Sequence, residues 1–187
     1  MRIISGYLKG KKIFEPKDKN TRPLKDLVKE SIFNIINHSN KFNINIEKSN
    51  ILDLFSGVGS FGLEALSRGA EQITFVENYS NVIEVLKKNI KNLLLTHKIK
   101  IIEKDIFKDI NFEKLNQKFD IIFLDPPFNE EKIFELILKI ISANILKKNG
   151  IVILHRNKKH KENFPSKFKI VEEKNYGLSK IIFGNFS

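Results

Sequence analysis

The chain has 187 residues, no cysteine, no tryptophan and a net charge of +11. This fits one globular domain and excludes disulfides, thiolate metal centres and cysteine nucleophiles. No apolar run approaches the roughly 18 residues of a membrane span, and Arg2 and Lys9 interrupt the first segment too early for a secretory signal, so a cytoplasmic location is expected. The charge is uneven: residues 1–30 carry +5, residues 151–187 carry +5 and the 120 residues between them carry +1. Two basic ends around a near-neutral middle suggest contact with a polyanion. Lysine-rich codon usage is the plain alternative, since 29 of the cations are Lys and only 4 are Arg.

In chain order, residues 1–15 with Gly6 and Gly10 predict a short hairpin or arm, and residues 1–20 are read as a basic extension ahead of one domain over 21–187. Thr21-Arg22-Pro23 opens a helix, with Thr21 near the N-cap and Pro23 in the first turn. Leu24, Leu27, Val28, Ser31, Ile32, Ile35 and Ile36 recur at helical spacing, which predicts an amphipathic helix over about 23–37. Residues 38–49 read as a connection. Beyond them short apolar runs alternate with helical patterns. Strands are predicted at 50–55, 72–76, 100–103, 120–124 and 151–154, and helices at 60–68, 81–95 and 130–146, the last with Gly150 just past its end. Residues 168–173 and 178–183 read as two closing strands around Gly177. Such alternation indicates βαβ units and a parallel sheet covered on both faces.

Ligands of such sheets sit beyond the carboxyl ends of the strands. Four predicted strand ends carry an acid there: Asp53, Glu77, Asp105 and Asp125. Each one singly could cap a helix, but four at one rim indicate a polar pocket, because unpartnered buried acids are costly. Asp53-Leu54-Phe55-Ser56-Gly57-Val58-Gly59-Ser60-Phe61-Gly62 follows the first strand, opens a helix and contains G-x-G-x-x-G. Glycines let the backbone bend and approach a ligand, and Glu77 at the next strand end suits ribose hydroxyls. Leu63-Glu64 after Gly62 excludes a Walker phosphate loop. Asp53 would repel a pyrophosphate and attract a ligand bearing ammonium or sulfonium charge. That favours S-adenosylmethionine over a nicotinamide dinucleotide; the D-x-F-x-G-x-G form resembles the first motif of class I methyltransferases and Asp105-Ile106-Phe107 resembles their adenine-binding corner, so the resemblance adds Phe55, Gly57, Gly59, Asn78, Asp105, Ile106 and Phe107 to Asp53 and Glu77 as candidate contacts.

Asp125-Pro126-Pro127-Phe128, the most specific signal, resembles the [D/N/S]-P-P-[Y/F] motif of methyltransferases that act on exocyclic amines of nucleobases. An exocyclic amine of a nucleobase is a poor nucleophile, because its lone pair is delocalised into the ring. A side-chain oxygen and the next backbone carbonyl can accept both N–H bonds and aim the lone pair. The prolines fix the carbonyl in place, and the aromatic ring stacks on an unpaired or flipped base. The four histidines, His38, His97, His155 and His160, show no ligand spacing, and no metal is assigned.

These motifs, with Met1-Arg2-Ile3-Ile4-Ser5-Gly6, Gly10-Lys11-Lys12, Thr21-Arg22-Pro23, Lys29-Glu30-Ser31-Ile32-Phe33-Asn34, Gly62 to Ala70 and Phe123 to Phe128, resemble the bacterial RsmD family of 16S ribosomal RNA guanine-N2 methyltransferases. The resemblance runs nearly end to end. It implies a class I methyltransferase (Rossmann-like) fold with a seven-stranded, mostly parallel sheet. The implied donor is S-adenosylmethionine, and the implied partner is 16S ribosomal RNA or an assembling small subunit. A monomer is expected. It implies Asp125, Pro126, Pro127 and Phe128 as catalytic, and Arg2, Lys11, Lys12, Thr21 and Arg22 as RNA contacts. Arg22, kept as Arg in a lysine-rich chain, suits a planar bidentate contact. The chain departs from the family at Val58, where a small residue is usual, at Leu154, where an acid is usual, and at Arg156. N6-adenine methylation of DNA or RNA and noncatalytic RNA binding stand as alternatives.

Overall fold

Five strands of the computed structural model run parallel, and their order sets where a ligand can sit. The structure describes residues 1–16 and 24–186. Chain order is α1 (Asp26–His38), β1 (Asn50–Leu54), α2 (Ser60–Ser67), β2 (Gln72–Glu77), α3 (Ser80–Asn92), β3 (Ile99–Glu103), β4 (Phe119–Leu124), α4 (Ile133–Ser142), β5 (Leu146–Asn157), β6 (Phe168–Tyr176) and β7 (Ser179–Phe186). The seven-stranded sheet has the order β3-β2-β1-β4-β5-β7-β6. β1 to β5 pair in parallel, whereas β7 runs antiparallel to both β5 and β6. The order reverses between β1 and β4, so a crevice opens at their carboxyl ends.

Alternate residues of each central strand feed two cores. Ile51, Ile73, Phe75, Ile121, Phe123, Ile151 and Ile153 pack with α1, α2 and α3, while Leu52, Leu54, Val76, Ile122, Leu124, Val152 and Leu154 pack with α4. Helices therefore cover both faces, as the nearly unbroken apolar strands require.

Residues 1–15 pair as a hairpin through the Arg2–Lys12 bridge. Its Ile3 and Ile13 are buried in the α1–α3 core. The carboxylate of Glu64 on α2 accepts from the backbone N–H of Ile4 (2.7 Å) and Ser5 (2.9 Å) and from Nε of Arg68 (2.8 Å). Buried Lys29 donates to the Arg2 carbonyl and to Oγ of Ser60, and lies 3.6 Å from Glu64. Burial pushes the Lys29 pKa down, opposed by Glu64 and Asp26.

Three sequence expectations are corrected. In α1, Leu27 is exposed and Lys29 is buried, because the helix turns Val28, Lys29, Ile32, Phe33 and Ile36 inward and Glu64 compensates the ammonium. The helix expected over 130–146 is only α4, ended by Asn144 in the left-handed region (φ 49°). Gly150 lies inside β5, in a register shift where Phe119 pairs Leu146 but Ile121 pairs Ile151. The expected N-terminus of the first helix, Thr21 to Pro23, lies outside the described residues.

Candidate active site

The four acids do converge on the carboxyl rim. A cavity of about 470 Å3 is lined by Asp53, Phe55, Ser56, Gly57, Glu77, Asn78, Asp125, Pro126, Pro127, Phe128 and His155, among others. Leu24, the first described residue after the Thr-Arg-Pro segment, also lines it. An adjoining hollow of about 150 Å3 shares Phe55, Glu77, Asn78 and Pro127 and adds Asp105, Ile106 and Phe107.

The glycine loop turns sharply after β1. Phe55 (φ 59°), Gly57 (φ 55°) and Gly59 (φ 84°) all take left-handed backbone, which is unusual for a phenylalanine. Gly62 lies where α2 crosses β2, and a Cβ there would strike the Phe75 ring. Val58 is buried in the core, and its carbonyl accepts from Nδ2 of Asn89 at 3.1 Å.

Asp53 is 1% exposed. Its Oδ2 accepts from the Gly62 N–H (3.1 Å), while Oδ1 has no partner among the described residues. Burial pushes its carboxyl well above the usual range; the Gly62 bond opposes this, and nearby Asp125 and Glu77 add to it. Buried Oγ of Ser56 is likewise unpartnered. A carboxylate and a hydroxyl without partners, both at the cavity, fit a ligand carrying a cationic donor. Glu77 accepts from the backbone N–H of Gly57 (2.8 Å), Asn78 (2.9 Å) and Tyr79 (3.0 Å), so it fixes the glycine loop. Asp105 accepts from the N–H of Phe107 and Lys108 and from Nδ2 of Asn78. Partial burial raises its pKa, but these bonds and the Lys108 charge outweigh that and hold it low.

The tetrapeptide leaves β4 with its acid on the α1–α3 side. Because Leu124 pairs Leu154, the next positions, Asp125 and His155, fall opposite each other. Nδ1 of His155 lies 2.7 Å from Oδ1 of Asp125, and its Nε2 lies 2.9 Å from Oγ of Ser179. The Phe128 ring meets His155 edge-on, with centroids 5.8 Å apart. Arg156 alternates to the opposite side of β5. Arg156 is 1% exposed, and its guanidinium donates to the carbonyls of Pro127 (2.9 Å) and Glu130 (2.7 Å) and to Glu162.

His155 and Arg156 thus hold the tetrapeptide from two sides, a role the sequence reading did not assign. That reading ended the fifth strand at Leu154 with no feature at the rim; β5 continues to Asn157. The available signal is an arginine two residues past an apolar run in an arginine-poor chain. Exposed Arg2 and Lys12 sit on the hairpin, with the Arg2 carbonyl tied through Lys29 to Ser60 beside the glycine loop, and Lys11 is exposed beside them. Thr21 and Arg22 lie outside the described residues. Among the described residues no cluster of acids and histidines could hold a metal, and no helix is long and apolar enough to cross a membrane.

A sheet of this order, with a glycine loop after β1 and an acid-Pro-Pro-aromatic turn after β4, defines a class I methyltransferase. A family model described as "Conserved hypothetical protein 95" matches residues 1–185. The chain belongs to that family, the RsmD family. It is 32% identical over 179 residues to Ribosomal RNA small subunit methyltransferase D of Haemophilus influenzae, covering 95% of this chain and 90% of that one. It is 36% identical over 156 residues to the protein of the same name from Buchnera aphidicola, covering 83% and 76%. Among solved structures, the Escherichia coli protein yhhF, described as a candidate methyltransferase, superposes with a TM-score of 0.81 at 26% identity, covering 100% of this chain and 98% of that one.

Proposed function

We propose that this chain transfers a methyl group from S-adenosylmethionine to the exocyclic N2 amine of a guanine in 16S ribosomal RNA. The observation that carries this reading is the Asp125 carboxylate. It stands at the crevice beside Asp53, and His155 holds its Oδ1. An acceptor so placed suits an amine whose N–H bonds must be oriented, and it helps most as positive charge grows on nitrogen.

The donor fits the residues around it. Asp53 and Ser56 would receive its cationic amino-acid end, Glu77 its ribose hydroxyls, and the hollow at Asp105, Ile106 and Phe107 its adenine. Bound there, it would supply a methyl group on a positively charged sulfur. The chain's own part is orientation: Asp125 and the Pro126 carbonyl accept from the amine, while Phe128 stacks on the base. The amine attacks directly, without a covalent enzyme intermediate, and sheds its proton after transfer. Basic Arg2, Lys11, Lys12 and Arg22 would meet phosphates. The names of the relatives support ribosomal RNA as substrate.

Two measurements test this. Ribosomal RNA from a deletion strain should lack one N2-methylguanosine by nucleoside mass spectrometry; loss of an N6-methyladenosine instead would favour adenine, and no loss would overturn the reading. Asp125→Ala should lower kcat about 10²–10³-fold, as removal of one preorganised transition-state partner does, with little change in donor affinity. Asp125→Asn should be milder, since its amide oxygen still accepts.

A further inference from the structure

Asp125 is an effective acceptor only if its carboxylate is held still. Its side chain is 20% exposed, and a carboxylate at a cavity wall is free to turn about two side-chain torsions unless something fixes it. His155 is in place to do so. Its ring is 6% exposed, sits on β5 directly across from the tetrapeptide and touches both ends of it, Asp125 by a hydrogen bond and Phe128 by an edge contact. The ring is itself held from behind by Ser179 of β7, a diagonal neighbour in the antiparallel β5–β7 pair, where Asn157 faces Ser179 and His155 faces Ile181.

The directions of these bonds follow from chemistry. An ionised carboxylate only accepts, so Nδ1 of His155 carries the proton facing Asp125. In the neutral ring Nε2 is then the acceptor, and the Ser179 hydroxyl donates to it. The chain Ser179 to His155 to Asp125 therefore runs one way, and it occupies Oδ1 while leaving Oδ2 for another donor. We infer that His155, with its tautomer set by Ser179, is a positioning residue that presents one oxygen of Asp125 to the substrate amine.

Ser-His-Asp in this order also matches a hydrolytic triad. That alternative fails on access: Ser179 is 3% exposed and is not among the residues lining the cavity, so its hydroxyl cannot reach a substrate. The hydroxyl acts on the histidine alone.

The inference rests on the proposed methyl-transfer reading, and the test separates the two. The first arm needs no catalysis. Nitrogen-15 NMR of the imidazole in the folded protein should show the Nδ1-protonated tautomer, and Ser179→Ala should mix the tautomers. An Nε2-protonated ring in the wild type would overturn the inference.

The second arm uses small ribosomal subunits from a deletion strain and radiolabelled S-adenosylmethionine. His155→Ala should lower kcat about 10- to 100-fold, by analogy with the loss of a partner that orients a metal ligand, with KM for both substrates nearly unchanged. His155→Asn, whose amide N–H can replace Nδ1–H, should recover most of that loss, and Ser179→Ala should fall between wild type and His155→Ala. In an Asp125→Ala background, His155→Ala should add almost nothing, because the two act as a unit. Equal defects in the Asn and Ala variants, both folded by thermal melt, would overturn the inference. So would full additivity with Asp125→Ala. A wild type that methylates no subunit would overturn the methyl-transfer reading, and the NMR arm would still decide the geometry.

Discussion

Replacing Arg156 by lysine keeps the charge and removes the fork. The guanidinium reaches three acceptors with three different nitrogens: the Pro127 carbonyl, the Glu130 carbonyl and the Glu162 carboxylate. An ammonium concentrates its donors at one point on a flexible stem and cannot span all three. A lysine that keeps Glu162 forfeits two charge-assisted bonds. At about 1.5–3 kcal/mol each, the ceiling is about 3–6 kcal/mol. Pro127 is exposed and Glu130 half-buried, so water takes up part of the freed acceptor capacity, and the expected loss is near the lower end, about 3 kcal/mol. Urea denaturation reads this as a midpoint about 1–3 M lower, for a slope of about 1–3 kcal/mol/M. Turnover should fall too, because the same bonds hold the backbone that carries Phe128. A lysine variant with wild-type midpoint and wild-type turnover would refute the view that the guanidinium fork fixes the tetrapeptide.

Other outcomes follow from the same site. Glu77→Ala should weaken S-adenosylmethionine binding about 10- to 150-fold, the equivalent of about 1.5–3 kcal/mol in lost charge-assisted bonds, measured by calorimetry; unchanged affinity would remove Glu77 from the donor site. Asp53 has a folded-state pKa raised by burial above its unfolded value, so the folded protein holds the extra proton between the two, and stability falls as pH rises through that window. Asp53→Asn should flatten that part of the pH–stability curve. A cationic ligand favours the ionised carboxylate, so donor binding should weaken as pH falls through the same window and should release a proton, read by calorimetry in buffers of different ionisation enthalpy. Replacing Lys158, Lys159 and Lys161, which follow β5 at the rim, with glutamine should lower the salt dependence of RNA binding by about 2–3 in log–log slope if each meets a phosphate; an unchanged slope would assign their charge to codon usage.

The strand-end acids and the glycine loop were legible because each obeys a local rule: a short apolar run, then an acid, then a turn. Every central strand was found within a residue or so, except where that rule broke. β5 contains Lys147-Lys148-Asn149-Gly150, a polar stretch that reads as a helix end but is accommodated by a register shift. Lys29 inside and Leu27 outside violate helical amphipathicity, since the partner that admits the lysine, Glu64, lies on another helix. The scarcity of arginine that singles out Arg22 applies equally to Arg68 and Arg156. Arg156 uses the planar fork, and Arg68 uses its planar face, paired with Glu64 through Nε and stacked over Phe33. The His155–Asp125 contact was hidden for a different reason: it depends on the β4–β5 register, which no single segment encodes.

The docking of the hairpin has a consequence for the order in which the chain becomes structured during synthesis. Residues 1–15 emerge ahead of α2 and α3, yet the groups that receive them lie 59 to 75 positions later, on those helices. Until Glu64 and Asn89 have been made, Ile3 and Ile13 have no interior to enter. Asn89 then makes three bonds at once, two with Phe14 and one with the Val58 carbonyl of the glycine loop. Capture of the earliest segment and setting of the ligand loop are therefore a single late event on a nascent chain, and contacts of such long range make it slow. A ribosome paused before α3 would carry a first strand, β1, whose loop is already written but not yet shaped.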